Sequence, residues 1–288
     1  MKLDSQEINQ INTSKLSIFK PNIDLAFYLA KKDKIDFVYN TSALEGNAMT
    51  YPEVQTLLEG VTVGGHKLSD EQQILNQNKS VDYLFKLIEE KSFKLDVDTF
   101  TTLHSFVAKE EALKWGVFRE SSVNIGGTDY QVPHADLLEN IFTTGIEELK
   151  KINHPIVRAI TMFLFGAKCQ FFYDGNKRTS RLMMNAILIE AGCPILNIKA
   201  KDRLEFNSMM VKFYNGDDIA PSIEYLTEYY VLQNSRLIQE KNHIDIKKKT
   251  KKIESIKFPD LNEDGNELAL ARIERKISDG YNGFSAVT

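Results

Sequence analysis

Two predicted helices are joined by the segment Gln170-Phe171-Phe172-Tyr173-Asp174-Gly175-Asn176-Lys177-Arg178-Thr179-Ser180-Arg181. The Asp-Gly-Asn at its centre is typical of a turn and ends the first helix. The second helix begins at once, so several free backbone N–H groups lie at the junction, where an anion can bind. Gly175 would let a phosphate approach the backbone closely. The stretch therefore predicts a phosphate site at a helix N-terminus.

Three cations fall in the first turns of the second helix, at Lys177, Arg178 and Arg181. Positions 177 and 181 share a helix face at i, i+4, and positions 178 and 181 share one at i, i+3. Cations near a helix N-terminus oppose the helix dipole, so stability alone does not favour them. We therefore favour phosphate binding over a basic surface turn. Asp174 beside them is a hard oxygen ligand, as Mg²⁺ on a polyphosphate requires.

Long stretches with helical spacing surround this junction and predict an all-α fold. Apolar residues recur at i, i+3, i+4 and i+7 in several places, for example over residues 54–61. Residues 156–169 are apolar nearly all round, which predicts a helix buried at the centre of a bundle. Residues 178–191 are amphipathic, with one apolar side available for burial.

The one persuasive strand signal is at residues 122–132, where apolar residues alternate around Gly126-Gly127. Alternation on both sides of a Gly-Gly pair predicts a β-hairpin. One hairpin in a helical protein is better interpreted as an appendage than as a core sheet.

The composition excludes several classes of protein. The chain has 288 residues, of which 42% are hydrophobic and 26% charged, values typical of a soluble protein with a sizeable core. Two cysteines exclude a disulfide scaffold and suit a reducing compartment. The most apolar run, residues 159–167, is too short to span a bilayer, which needs roughly 20 residues. The N-terminus also lacks the apolar core of a signal peptide, so we expect a cytoplasmic protein.

The net charge of −4 gives no general reason to expect nucleic-acid binding. Residues 231–257 are a local basic exception, which we interpret as a solvated linker or helix face, with DNA contact as the alternative. The helical pattern weakens after Tyr230. We therefore divide the chain into an N-terminal extension (1–20), a main domain (21–230) and a C-terminal extension of unknown role (231–288).

The central stretch resembles the signature of the Fic (Fido) family, H-x-F-x-[D/E]-G-N-[G/K]-R-x-x-R. The residues on its fixed positions are Phe172, Asp174, Gly175, Asn176, Arg178 and Arg181. Residues 116–119, followed by 123–127, resemble the flap hairpin of that family, and the resemblance covers roughly residues 20–230. It implies a helical bundle with a small β-hairpin flap, and transfer of AMP from ATP to a hydroxyl side chain of a target protein.

The resemblance also implies roles for single residues. Nucleotide binding falls to Gly175, Asn176, Lys177, Arg178 and Arg181, metal binding to Asp174, and catalytic positions to Gln170, Asn176 and Arg178. The flap would hold a target segment by strand addition, through Val123, Ile125 and Tyr130. The expected cofactors are ATP and Mg²⁺. The expected partners are an unidentified target protein and a possible homo-oligomer; nucleic acid is disfavoured as a partner, and no membrane is expected.

A second motif, Thr41-Ser42-Ala43-Leu44-Glu45-Gly46-Asn47, resembles the inhibitory motif [S/T]-x-x-x-E-[G/N] of the second class of Fic proteins. Spacing alone would make Glu45 a helix C-terminal residue before a glycine cap. The resemblance implies instead that Glu45 pairs with Arg181 and keeps the ATP γ-phosphate from its productive position. A carboxylate there occupies the guanidinium fork that a phosphate would use. We expect this inhibitory helix over about residues 33–47.

Two positions depart from the family pattern. Gln170 replaces the His that takes the proton from the target hydroxyl, and an amide cannot act as a base, a loss that typically costs about 10²- to 10⁴-fold in rate. Lys177 replaces the usual Gly and resembles the Doc-type toxins, which transfer the γ-phosphoryl group. The five histidines lie outside the motif, where we expect structural or surface roles. Three hypotheses stay open: a weakened AMP transferase, a degenerate nucleotide- or protein-binding signalling protein, and a Doc-like phosphotransferase.

Overall fold

The computed structural model describes residues 2–235. The basic residues from Arg236 to Lys257, and nearly all of the predicted C-terminal extension, lie outside the described residues. Residues 1–233 form one unit of the chain, and the fold below is that of this unit.

The described part of the chain is helical. In chain order the α-helices are α1 (Ser5–Ile8), α2 (Ile23–Lys32), α3 (Lys34–Leu44), α4 (Tyr51–Leu58), α5 (Leu68–Glu89), α6 (Val97–Val107), α7 (Leu138–Lys150), α8 (Pro155–Cys169), α9 (Asn176–Glu190), α10 (Arg203–Asn215) and α11 (220–235). Short 3₁₀ turns lie at Ser14–Leu16, Ala135–Leu137 and Ala200–Asp202. No strand occurs in residues 2–235, which confirms the all-α prediction. None of the helices in these residues is long and apolar enough to cross a membrane.

Helix α8 lies at the centre of the bundle, as its sequence predicts. Every residue of α8 except Pro155 and Arg158 is buried. Its most extensive packing is against α9, and the two helices approach closely at Gly166. A Cβ atom at that position would lie 2.1 Å from the Oγ of Ser180, so only glycine fits between these helices without a shift.

Helix α9 is buried on its polar side as well as on its apolar side. The sequence predicts an amphipathic helix with one side available for burial, but the polar residues near its start are also enclosed: Asn176, Arg178, Thr179, Ser180 and Arg181. The reason is that α9 packs not only against α8 but also against α5 and α6. A polar helix face inside a protein needs internal partners, and these partners form the site described below.

A cluster of phenylalanines holds the connection between α8 and α9 in the core. Phe171 and Phe172, which follow the end of α8, are fully buried. The Phe172 ring lies 4.9 Å from that of Phe100 on α6, and the Phe171 ring lies 5.1 Å from that of Phe118. Burying one such ring stabilises a fold by roughly 1.5–3 kcal/mol, so the position of this connection is fixed by packing.

The hairpin predicted for residues 122–132 does not form a pair of strands. A turn is present at Gly126-Gly127, but the arms on either side are irregular. An isolated two-stranded hairpin is only marginally stable in water, and this segment is held by side chains instead. For example, the Oγ1 of Thr128 donates to the Oδ1 of Asn215 at 2.7 Å. Residues 122–132 are called the flap below.

Candidate functional site

The motif loop, residues 170–175, connects α8 to α9 through two left-handed residues, Gln170 (φ +50°) and Gly175 (φ +74°). The side chain of Asn176 closes this loop. Its Oδ1 accepts from the backbone N–H of Phe172 at 2.9 Å, and its Nδ2 donates to the carbonyl of Phe172 at 2.9 Å and to the Oε1 of Gln170 at 3.0 Å. Asn176 therefore fixes the shape of the loop.

His104 packs against the motif loop and hydrogen-bonds to it. Its ring stacks on Phe172 with centroids 3.6 Å apart. The backbone N–H of Gly116 donates to Nδ1 at 3.0 Å, so the proton is on Nε2, which donates to the carbonyl of Asp174 at 2.9 Å. Burial lowers the pKa of His104 to about 4, which keeps the ring neutral. His104 is thus a buried, fully paired histidine.

Arg119 ties the motif loop to both ends of the flap. Its Nε donates to the carbonyl of Gln170 at 2.6 Å, and its two terminal nitrogens donate to the carbonyls of Ser121 at 2.8 Å and Pro133 at 2.6 Å. The side chain is almost wholly buried. The family resemblance places Arg119 beside the flap but does not predict these contacts, because its three acceptors are backbone carbonyls that no side-chain pattern marks.

Glu45 meets two of the motif cations. One carboxylate oxygen lies 2.9 Å from Nη1 of Arg181, and the other lies 2.8 Å from Nζ of Lys177. Burial by itself would raise the pKa of Glu45, but the positive charges of Arg181, Lys177 and Arg178 outweigh burial and lower the pKa to about 2. Glu45 is the C-cap of α3, and Gly46 follows it with φ +97°.

Arg178 pairs with a carboxylate that the sequence analysis did not single out. Its Nη1 lies 2.8 Å from the Oε2 of Glu111, in the segment after α6, and 3.3 Å from the carbonyl of Val107. Asp174 lies farther away, with its Oδ2 3.6 Å from Nη2 of Arg178. Both Arg178 and Glu111 are largely enclosed. Glu111 stands in a polar stretch with other acids, so no local signal identifies it.

Arg181 keeps two nitrogens unpaired in a buried position. Its Nε and Nη2 have no hydrogen-bond partner among residues 2–235, and the hydroxyl of Tyr214 is in the same state. The guanidinium carbon lies 5.7 Å from the ring centre of Phe163 and 5.5 Å from that of Phe206. Buried donors are normally satisfied, so these two nitrogens could still donate hydrogen bonds to an anion.

The Gln170 side chain is hydrogen-bonded within the protein, whereas the Asp174 side chain is largely exposed. Both ends of the Gln170 side chain are used, since its Nε2 donates to the carbonyl of Ala167 at 2.6 Å and its Oε1 accepts from Asn176. The Asp174 side chain is 63% exposed. Residues 2–235 contain no group of three His, Cys, Asp or Glu side chains that could hold a metal ion. A cation at Asp174 would therefore need further ligands, which phosphate oxygens could supply.

Of the predicted motif residues, Glu45 contacts Lys177 and Arg181, whereas the predicted flap residues make other contacts. Val123, Ile125 and Tyr130 are half-buried, and the latter two pack against the core. The ring of Tyr130 lies 5.0 Å from Nζ of Lys168.

The sequence is similar to a family of known proteins. The model of the Fic/DOC family matches residues 94–188. A curated relative from Nematostella vectensis, named protein adenylyltransferase Fic, is 28% identical over 78% of this chain and 54% of its own length. A relative of the same name from Drosophila melanogaster is 27% identical over 69% of this chain and 41% of its own length. The chain thus spans about half the length of the curated relatives it matches.

Solved structures show the same fold. Fic-1 (residues 134–508) from C. elegans aligns with a TM-score of 0.66 and 18% identity, over 83% of this chain and 73% of its own. A Fic domain-containing signalling protein from Bacteroides thetaiotaomicron aligns with a TM-score of 0.62 and 20% identity, over 82% of this chain and 92% of its own. Residues 94–188 thus match the Fic/DOC family model, and the described part of the chain has the fold of these solved structures.

Proposed function

We propose that this chain binds ATP with Mg²⁺ at the junction of α8 and α9 and transfers AMP to a hydroxyl side chain of an unidentified target protein. The observation that carries the proposal is the buried Arg181 guanidinium, which keeps two unpaired nitrogens close to Lys177 and Arg178 near a helix N-terminus. A polyphosphate is the kind of anion that such a site favours. The name of the curated relatives, protein adenylyltransferase, supports ATP as the nucleotide.

The proposed transfer divides the work among the motif residues. Arg178, Arg181 and the N–H groups at the start of α9 bind phosphate oxygens, and Gly175 lets the backbone approach them. The hydroxyl oxygen of the target bonds to the α-phosphorus, the bond from that phosphorus to its bridging oxygen breaks, and pyrophosphate leaves. The hydroxyl proton passes to water, because the Gln170 amide cannot accept it. Mg²⁺, held by Asp174 and phosphate oxygens, would neutralise phosphate charge.

Glu45 restrains the site in this proposal. Its carboxylate neutralises Lys177 and occupies one end of the Arg181 guanidinium. A γ-phosphate bound at the two unpaired nitrogens of Arg181 would lie beside this carboxylate and repel it. Nucleotide can therefore take up its productive position only when Glu45 has moved.

A second candidate function is nucleotide binding without turnover. The observation that favours it is the Gln170 side chain, which is hydrogen-bonded at both ends and holds the motif loop closed. The third hypothesis, Doc-like transfer of phosphate, depends on Lys177, whose ammonium group contacts Glu45. The possible homo-oligomer remains a prediction.

Labelling with radioactive ATP tests the proposal and separates the candidates. The proteins are the wild type, Glu45→Gly, Gln170→His and the double variant, each incubated with Mg²⁺ and ATP labelled at either the α- or the γ-phosphate. We expect the double variant to incorporate α-label into protein. The wild type should incorporate at least about 10²-fold less of this label. If only the γ-label reaches protein, the reaction is transfer of the γ-phosphoryl group and not of AMP. A double variant that binds Mg²⁺-ATP and transfers neither label would overturn the transferase proposal and leave the binding function.

A further inference from the structure

We infer that Glu111 restrains Arg178 by competing with phosphate for its guanidinium, and that a chain of hydrogen bonds through Gln73 connects Glu111 to the inhibitory segment, residues 41–47. Release of the inhibitory segment would then free both motif arginines, Arg181 directly and Arg178 through this chain. The inference rests on the proposed function, because it treats Arg178 as a phosphate ligand.

The chain begins at Asn47, two residues after Glu45. The Nδ2 of Asn47 donates to the Oε1 of Gln73 on α5 at 3.1 Å and to the carbonyl of Asp70 at 2.9 Å. Its Oδ1 accepts from the backbone N–H of Met49 at 3.1 Å. Since a backbone N–H can only donate, the amide of Asn47 must point its oxygen at Met49 and its nitrogen at Gln73.

Gln73 passes the connection to Glu111. Its Nε2 donates to the Oε2 of Glu111 at 3.2 Å, and this same oxygen accepts from Nη1 of Arg178 at 2.8 Å. The other carboxylate oxygen accepts from the Nδ2 of Asn76 at 3.0 Å. A carboxylate only accepts, so Gln73 must present its nitrogen to Glu111 and its oxygen to Asn47. Every link in the chain is therefore oriented by its neighbours.

Glu111 competes with phosphate for Arg178. Hydrogen bonds to a carboxylate stabilise its charged form and hold it in place, so the donor from Gln73 strengthens the competitor. When the inhibitory segment moves, Gln73 loses Asn47 and its amide is free to turn. Glu111 is then held less firmly, and Arg178 becomes easier to engage by a phosphate.

The direct contact to Arg181 and the hydrogen-bond chain to Arg178 both start next to Gly46. Glu45 and Asn47 lie on either side of this glycine, whose φ is +97°. A movement that withdraws Glu45 from Arg181 also withdraws Asn47 from Gln73. The three cations of the motif, Lys177, Arg178 and Arg181, are neutralised by carboxylates in this structure, and the same short segment controls both sets of contacts.

The test measures Mg²⁺-ATP binding by calorimetry in the Glu45→Gly background, where the direct contact to Arg181 is absent. Asn47→Ala, Gln73→Met and their combination each break the chain with uncharged substitutions. Each single variant should tighten Mg²⁺-ATP binding by about 2- to 10-fold, the factor that corresponds to one net hydrogen bond. Because both substitutions break one chain, the combination should bind no more tightly than the stronger single variant.

Matched controls repeat the same substitutions away from the chain. Asn78→Ala on α5 removes a hydrogen bond to Asp82, and Gln55→Met lies on the exposed side of α4. Both should leave the dissociation constant within twofold of the background. In Glu111→Gln, where the competing charge is gone, Gln73→Met should have no further effect. Denaturant unfolding of each variant checks that it is folded.

Three results would overturn the inference: additive effects of Asn47→Ala and Gln73→Met, weaker binding in folded variants, or no change in either. If Glu45→Gly itself binds no Mg²⁺-ATP, the proposed function fails together with this inference. If it binds but the chain variants behave like the controls, only the inference fails.

Discussion

Glu45 and Arg181, which are 136 positions apart in the sequence, meet at 2.9 Å between the end of α3 and the second turn of α9. The contact uses one nitrogen of the guanidinium and leaves two others buried and unpaired among residues 2–235. Removal of one partner from a buried ion pair leaves the other charge uncompensated. The stability and the ligand affinity of this domain should therefore depend on Glu45 in opposite directions.

Glu45→Gln should destabilise the protein without nucleotide by about 3 kcal/mol at pH 7, because it removes the charge opposite Arg181 and Lys177. Denaturant unfolding measures this change. Glu89→Gln, which removes an exposed ion pair with Lys31, is the control and should change stability by less than about 0.5 kcal/mol. A Glu45→Gln variant as stable as the wild type would contradict a stabilising role for the contact.

The same ion pair predicts a dependence on pH. The pKa of Glu45 is lowered from 4.5 to about 2 in the folded protein. Its stabilising contribution is therefore complete above pH 4.5 and is lost as the pH falls toward 2. The difference in unfolding free energy between the wild type and Glu45→Gln should shrink by about 1 kcal/mol between pH 7 and pH 3.5. A constant difference over this range would argue against the lowered pKa.

His104 should make the protein less stable in mild acid. Its pKa is lowered from 6.5 to about 4 by burial, so between these values the unfolded chain binds a proton that the folded protein does not. Stability is lost as the pH falls from 6.5 toward 4, by about 2 kcal/mol at pH 5. In His104→Gln this loss should be absent, although the variant is less stable at pH 7. Parallel stability curves for the two proteins would contradict the neutral, buried state of His104.

Gly175→Ala should cost more stability than Gly65→Ala, although both glycines have positive φ. At Gly65 (φ +89°) a Cβ would meet nothing within 4 Å, whereas at Gly175 (φ +74°) it would lie 3.2 Å from Val107 and 3.3 Å from Ala108. We expect about 1 kcal/mol at position 65 from backbone strain alone, and about 3 kcal/mol at position 175 from strain and crowding. Mg²⁺-ATP binding should weaken only in Gly175→Ala. Equal effects of the two substitutions would show that the motif loop tolerates a shift.

Arg119→Lys should loosen the flap, because an ammonium group cannot reproduce three hydrogen bonds in a planar fork. Amide hydrogen exchange should become faster over residues 121–133 and in the motif loop, while exchange in α8 stays unchanged. Unchanged exchange in the flap would mean that contacts such as Thr128–Asn215 hold it without Arg119.

The sequence predicts the centre of the fold well and its polar contacts poorly. The continuous apolar character of residues 156–169 is sufficient to place α8 inside the bundle, because a helix without a polar face has nowhere else to pack. The burial of Arg178 and Arg181 could not be predicted in this way. Their partners, Glu111 and Glu45, are 67 and 136 positions away, and only the family resemblance pointed to Glu45.

The contacts of the flap, His104 and Arg119 were equally hard to predict from the sequence. Alternating residues around Gly126-Gly127 predicted a hairpin, but the turn formed without paired strands, because local alternation does not reveal whether side-chain contacts will replace a ladder. A structural role for His104 was expected, yet its link to the carbonyl of Asp174 depends on a contact over 70 positions. The contacts of Arg119, which the resemblance places beside the flap, cannot be predicted because its partners are carbonyl groups, which every residue carries.

Restraint of a nucleotide site by Glu45 is tested by calorimetric titration of Mg²⁺-ATP into the wild type and into Glu45→Gly, with Glu89→Gly as the control on an exposed helix face. We expect binding to all three proteins, and about tenfold tighter binding to Glu45→Gly, which corresponds to about 1.4 kcal/mol. If neither the wild type nor Glu45→Gly binds Mg²⁺-ATP, the junction is not a nucleotide site, and its cations are a structural feature of the α8–α9 junction.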